Sequence, residues 1–413
     1  MRTCLQLFGV FLFIIFTFPM IYGQAYGYEF TKPRKKRIKI KFDKKSNLII
    51  VPVRLNGKYD LNFIVDSGVR HLLITKRRYT DSLGIKYGKE FQIYGADKES
   101  SVTAMIANNL QLELPGLMGK RKTALVLKED YFDFDKTIGV RIDGIIGMDL
   151  FMRFTVKIDY VKEIMTLYEP DKFKVPKSYK PYNLETHKDK LYLKTIAMSK
   201  RGYAKETKLL LDTGASLYML LDLKDGHHPL LPRRVIKGNV SQVLGGNMTT
   251  YVGRIGFLGL IPYRFQDVIV NFQAPIILEE QLKDTFDREG LIGGGLLSRF
   301  HVIIDAFNEK IYLKKNNRYG QPFTRDKSGI VFEEESEDSK RIKVIKVIPE
   351  SPAYYAGVQR GDIIIKCNGK RGKNLTINAL VYLLQHEQNL RIKMTLLRDG
   401  QIIKRVFRLQ DMI

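Results

Sequence analysis

The chain repeats itself at one fixed offset, and that offset limits its possible folds more than any other feature. The segment LNFIVDSGVRHLLIT, which carries Asp66, is matched 146 residues later by TKLLLDTGASLYMLL, which carries Asp212. Each reads as an apolar strand ending in Asp-Ser/Thr-Gly and followed by a second apolar strand. Gly147 lies 81 residues after Asp66, and Gly293 lies 81 residues after Asp212. Asp159 and Asp305, in FTVKIDYVKEIMTLY and FHVIIDAFNEKIYLK, each follow their landmark aspartate by 93 residues. The chain from about Asn47 to Lys315 is therefore expected to be two copies of one β-rich unit. Alternating runs such as NLIIVPVRL and KIYLKK support strands, with turns at Asn56-Gly57, Gly95, Gly245-Gly246 and Gly253.

One Asp-Ser/Thr-Gly alone recurs in ordinary turns. Here there are two, each followed at identical spacing by an apolar-apolar-Gly: Ile145-Ile146-Gly147 and Leu291-Ile292-Gly293. On these motifs the chain resembles the bilobal, pepsin-like and retropepsin-like aspartic peptidases. The resemblance implies a mainly β fold with two homologous β-barrel lobes, residues 47–170 and 183–316, related by pseudo-twofold symmetry. A linker at 171–182, with Pro176 and Pro181, would join them. It also implies that Asp66 and Asp212 meet on the axis as a catalytic dyad. Ser67, Gly68, Thr213 and Gly214 would support the two loops, the hydroxyls bonding across the lobe interface. Gly147 and Gly293 would let the chain pass close to each loop. Flaps over the substrate are expected at Tyr94-Gly95 and Gly245-Gly246.

The pairing of carboxylates has a chemical purpose. Hydrolysing an amide needs a base to activate water and an acid to protonate the leaving nitrogen. Two carboxylates held close cannot both ionise, so they share one proton and divide the two roles. The dyad titrates as a unit, and neither member is assigned as the acid. Asp-Thr-Gly-Ala-Ser follows the family pattern closely, whereas Asp-Ser-Gly-Val-Arg departs from it at Arg70. That cation either favours the ionised carboxylates or points away. Val69 and Ala215 lack a hydroxyl that would stabilise a carboxylate, so a mildly acidic to neutral optimum is expected.

After Asn316 the character of the chain changes. A polar connector at 317–328 leads into residues 329–413, where SPAYYAGVQRGDIIIKCNGK resembles a PDZ domain of the bacterial-protease type. Such domains bind extended peptides by adding a strand to an open sheet edge, which would raise the concentration of a substrate at the cleft. The family's carboxylate-binding turn is Gly-apolar-Gly-Phe, and the match here is Gly329-Ile330-Val331-Phe332. Val331 replaces the second glycine, so capture of a chain terminus is expected to be weakened. Cys367 lies in an apolar strand and reads as core.

Residues 1–23 read as a signal peptide, with Arg2, an apolar run from Leu5 to Phe18, and small residues at Gly23 and Ala25. An uncleaved anchor is the alternative, and only then is a membrane a partner. Cleavage would leave Cys367 as the sole cysteine, without an intrachain disulfide. Residues 24–46 form a basic leader, with nine Lys or Arg and one Asp between Lys32 and Lys45, read as a solvated arm. The net charge of +25 does not argue for nucleic acid in an exported chain. No His-Glu-x-x-His, no plausible serine elbow and no phosphate loop is present, and neither a metal nor a cofactor is expected. The sequence thus points to an exported, periplasmic (or else secreted) aspartic endopeptidase acting on peptides or proteins. With both half-sites in one chain, it is expected to be a monomer. The competing reading is a non-catalytic peptide-binding pseudoprotease, suggested by Val69-Arg70 and Val331.

Overall fold

Strand Leu48–Leu55 turns back into Tyr59–Val65 through Asn56 and Gly57, whose φ angles of 46° and 66° suit a tight two-residue turn. These strands belong to a computed structural model that describes residues 27–94, 101–130, 140–223, 226–243, 246–273, 288–335, 341–385 and 388–413. The signal segment 1–23, Gly95 and Gly245 lie outside the described residues. Tyr59–Val65 runs parallel to Gly144–Ile146, with Ile64 opposite Ile145. The same pairing occurs 146 residues later, where Ala204–Asp212 runs parallel to Gly290–Gly293 with Leu210 opposite Leu291. The last residues of these strands before the aspartates are apolar because both faces are covered there; Phe63, Val65, Leu209 and Leu211 are fully buried.

Two hairpins form a floor under these strands. Thr155–Asp159 pairs with Ile164–Tyr168, placing Val156 opposite Leu167, and Phe300–Asp305 pairs with Lys310–Lys315, placing Val302 opposite Leu313. The hairpins join edge to edge in one antiparallel ladder. Val156 faces Ile304, Ile158 faces Val302, and Lys157 faces Ile303, its own counterpart at the 146-residue offset.

The basic block belongs to this floor and is not a solvated leader. Arg37–Lys41 pairs with Ile164–Tyr168, with Ile38 and Ile40 buried and Arg37, Lys39 and Lys41 exposed. Tyr28–Phe30 similarly pairs with Leu117–Gly119. The cations occupy only the solvent face of a strand whose other face is apolar, a period-two alternation hidden by the charge count. The linker is also shorter than its expected span of 171–182, because strand Lys180–His187 begins inside it and pairs with Lys310–Lys315.

The connector at 317–328 is packed down along its length. The Arg299 guanidinium donates to the carbonyls of Arg318, Tyr319, Gln321 and Pro322 and lies 3.9 Å over the ring of buried Phe323. Beyond it, Ile330–Glu334, Ile342–Val347, Ile363–Cys367, Arg391–Arg398 and Gln401–Arg408 form a sheet in that order. Helix Ile377–Leu384 covers a separate core that includes Phe332, Val344, Leu380 and Ile392. Cys367 is buried in that core, and burial pushes its thiol up to about 12.

If the basic strand is part of the fold, its inward residues carry stability and its outward ones do not. Ile40→Ala should cost about 2–5 kcal/mol in denaturant unfolding, whereas Lys39→Ala should stay within about 0.5 kcal/mol. Equal, small effects would return the segment to a solvated arm.

Candidate active site

Asp66 and Asp212 each stand where a buried parallel strand runs out. The Asp66 N–H still donates to Ile146 O at 2.9 Å, completing the ladder, and the next residues turn away. Gly68 N–H then bonds back to Asp66 Oδ1 at 2.7 Å, and Gly214 N–H to Asp212 Oδ1 at 2.9 Å. Asp212 Oδ1 receives a second N–H, from Ala215, at 2.9 Å. Among the described residues, no donor outside the pair itself is bonded to Oδ2 of either aspartate, and both atoms are buried.

The two turns are interlocked. Ser67 N–H donates to Thr213 Oγ1 and Thr213 N–H to Ser67 Oγ, both at 3.0 Å. The Ser67 hydroxyl donates onward to Leu211 O at 2.7 Å, and that of Thr213 to Val65 O at 2.9 Å. Each glycine lies against the opposite carboxylate. A Cβ on Gly214 would fall 2.0 Å from Asp66 Oδ2, and one on Gly68 would fall 2.7 Å from Asp212 Cγ. Side chains at these two positions would drive the carboxylates apart.

Gly147 and Gly293 sit beneath the turns. A Cβ on Gly147 would meet Val69 O at 2.6 Å, and one on Gly293 would meet Leu217 O at 2.4 Å. The next residues anchor both crossings, Met148 N–H to Val69 O at 2.8 Å and Gly294 N–H to Ala215 O at 2.6 Å.

Burial, followed by repulsion from Asp212, holds the Asp66 carboxyl well above the ordinary carboxylate range. Burial also pushes Asp212 up, to about 6, against the opposing pull of its hydrogen bonds to Asp66, Gly214 and Ala215. The pair thus retains a proton under conditions that ionise ordinary acids. A carboxylate beside a carboxylic acid, both with a free oxygen, can take a proton from water and give one to a leaving group.

Arg70 points away from the dyad. Its Nη2 lies 2.6 Å from Oδ2 of Asp189, in the turn between Lys180–His187 and Lys190–Met198. A cation that does act on the dyad is buried Lys190, whose charge pulls Asp212 down. Sequence reasoning missed Asp189 and Lys190, since a hairpin turn rich in lysine looks like any solvated turn. Tyr94 ends strand Tyr87–Tyr94, opposite Ser101, and Gly246 opens Gly246–Leu260, opposite Val243. Gly95 and Gly245 lie outside the described residues. Among the described residues, no cluster of three or more His, Cys, Asp or Glu side chains is arranged to hold a metal ion.

Against known proteins, residues 51–150 match a family described as aspartyl protease, a span that holds Asp66 and Gly147. Residues 343–398 match the PDZ domain family. The chain is similar to the carboxy-terminal processing protease CtpA of Bacillus subtilis (strain 168), 26% identical over 125 residues, covering 29% of this chain and 27% of that protein. It is also similar to a probable CtpA-like serine protease of Staphylococcus saprophyticus, 26% identical over 123 residues, covering 30% of this chain and 25% of that one. The chain thus spans about a quarter of the length of the curated relatives it matches.

Two outcomes are expected. Ser67→Ala leaves Thr213 N–H and Leu211 O buried without partners and should cost about 1–3 kcal/mol of stability; Ser67→Thr should recover most of it. Because the raised carboxyl values favour folding most below the ordinary value near 4 and less as pH climbs through about 6, thermal melts should reveal a sign. The double variant Asp66→Asn/Asp212→Asn should gain on the wild-type protein between about pH 4 and pH 8. A constant difference across that range would remove the raised values from the account.

Proposed function

We propose that the chain is an aspartic-type endopeptidase in which Asp66 and Asp212 share a proton and activate a water between them. The observation that carries this reading is the buried, interlocked pair of carboxylates, each with Oδ2 left unbonded by other donors. The reciprocal bonds relate residues 146 apart, as does the ladder in which Lys157 meets Ile303. Reciprocity of this kind is the mark of a twofold axis. It supports two homologous lobes, about 47–170 and 183–316, with the dyad on the axis and one chain sufficing as a monomer. The aspartyl protease match over 51–150 favours the same chemistry.

In this reading the anionic dyad takes a proton from water as the water attacks the scissile carbonyl. The protonated member donates to the amide nitrogen as the C–N bond breaks. Gly68, Gly214 and Ala215 N–H groups hold the inner oxygens, leaving the outer ones for water and substrate. The hairpins ending at Tyr94-Gly95 and Gly245-Gly246 are proposed as substrate-covering flaps. Residues 329–413, the PDZ domain, would dock extended substrate, and export to the periplasm would place the enzyme among its targets.

The relatives' names favour a second, serine-type reading. Against it, the hydroxyl of Ser67 is engaged with Leu211 O and Thr213 N–H, that of Ser298 with Gly295 O, and that of Ser328 with Asp326. A non-catalytic pseudoprotease is the third reading; the Val69-Arg70 departure that suggested it leaves both carboxylates in contact, with Arg70 bound to Asp189.

The test is cleavage of a mixed peptide library between pH 3 and 8 with mature protein, Asp66→Asn and Asp212→Asn. A statine-type inhibitor and a serine-directed phosphonate would be run alongside. Activity should follow a bell with its acid limb near the Asp212 value of about 6, vanish in both variants and yield to statine alone. An optimum below pH 3, or cleavage surviving both substitutions, would overturn the proposal.

A further inference from the structure

Charge is segregated across the PDZ domain. Glu333 and Glu334 end strand Ile330–Glu334, and Glu335 follows them and pairs with Arg341. At the far end of the sheet the sign reverses. Strand Arg391–Arg398 buries Ile392, Met394 and Leu396 and turns Arg391, Lys393 and Thr395 outward. Its neighbour Gln401–Arg408 sets Arg408 opposite Arg391, Val406 opposite Lys393 and Lys404 opposite Thr395. On the other flank, Lys366 lies opposite both Thr395 and Arg371. Residues opposed in this way share a face, so Arg371, Lys366, Thr395 and Lys404 form one row, with Lys393 and Arg391 beside it.

Like charges directly opposite one another, as in Arg391 with Arg408 and Lys366 with Arg371, destabilise a ladder left to itself. Among the described residues, no carboxylate pairs with any of these cations; Asp362 is taken by Arg398 and Glu335 by Arg341. The same face holds a cavity of about 550 Å³, lined by Lys366, Arg391, Lys393, Lys404 and Arg405, with no acidic residue in its wall. Aliphatic side chains stand among the cations. Val406, also in the wall, is 47% exposed, and Ile402, on the same face of the same strand, is 69% exposed. Cations alone would suit any polyanion. Exposed isoleucine and valine gain little from a hydrated acidic polymer, but they bury apolar area at the headgroup–acyl boundary of a bilayer, where lysines meet lipid phosphates.

We propose that the outer face of strands Ile363–Cys367, Arg391–Arg398 and Gln401–Arg408 docks on an anionic phospholipid bilayer, with a lipid phosphate in the cationic cavity and Ile402 and Val406 at the acyl boundary. The surface does not include strand Ile330–Glu334, and the proposal is independent of the dyad's chemistry. It would bring the proposed protease to polypeptides at a membrane surface.

The test is flotation of the mature chain, residues 24–413, with lipid vesicles, so that the apolar run Leu5–Phe18 cannot itself enter lipid. Binding is read without any cleavage and stands or falls apart from the dyad. Vesicles of phosphatidylcholine alone are compared with vesicles containing about one-third phosphatidylglycerol. Binding to the anionic vesicles alone is expected, and it should weaken as salt rises. Each surface cation contributes about fivefold, so Lys366→Gln, Lys393→Gln and Lys404→Gln combined should lower the affinity by about 100-fold. Ile402→Ser with Val406→Ser should lower it by about fivefold or more, which a purely electrostatic contact would not show. Arg37→Gln, Lys39→Gln and Lys41→Gln remove as much charge from the floor outside the PDZ domain and should change it by less than about threefold. Equal uptake by phosphatidylcholine, an equal loss in the floor variant or unchanged binding by the serine variant would each overturn the proposal. So would uptake by neither vesicle, and retention on polyglutamate in that case would make the partner an acidic polypeptide.

Discussion

Two hydroxyls hold this site together. Ser67 and Thr213 each accept the other's backbone N–H and pass their own proton to a strand carbonyl behind the opposite turn. All four bonds are buried, where no water stands ready to replace them, so the loss of one exposes the others to the full cost of an unpaired group. The near approach of the carboxylates and the need for glycine at 68 and 214 go with that cross-tie, while burial, and for Asp66 repulsion from its neighbour, raises their proton affinity. The ladder between Thr155–Asp159 and Phe300–Asp305 supports it from below by fixing how the halves meet.

Much of this was legible in the sequence because it depends on periodicity. A 146-residue offset carries over directly into strand register, and an apolar run ending in aspartate marks where a buried strand leaves its sheet. The basic block conceals its strand because its net charge outweighs its alternation: Ile38 and Ile40 point in while their charged neighbours point out. Asp189 and Lys190 were invisible for another reason. Their importance comes from a neighbour far along the chain, Arg70 for one and Asp212 for the other, and nothing local records such proximity. The connector looked polar and free, yet Arg299 gathers its carbonyls.

Asp66 and Asp326 show how the same local chemistry serves opposite ends. Each is buried, each accepts an N–H from a following glycine, and each sits at the junction of a turn and a strand. Asp326 has both oxygens satisfied by its own turn and therefore holds that turn in shape. Asp66 has one oxygen satisfied and the other left facing a second acid. The two carboxyls thus differ in whether their second oxygen is tied to the chain around them.

The grip of Arg299 on residues 318–323 would give the proposed peptide-docking domain a different kind of influence from that of a module on a loose string. A flexible tether lets a captured segment sample all distances, and its benefit fades smoothly with length. A connector pinned carbonyl by carbonyl instead sets one span between the edge and the dyad. If the proposed docking and cleavage both hold, the molecule would work as a ruler: a polypeptide long enough to bridge that span would be held at both points, and a shorter one would gain nothing from the second.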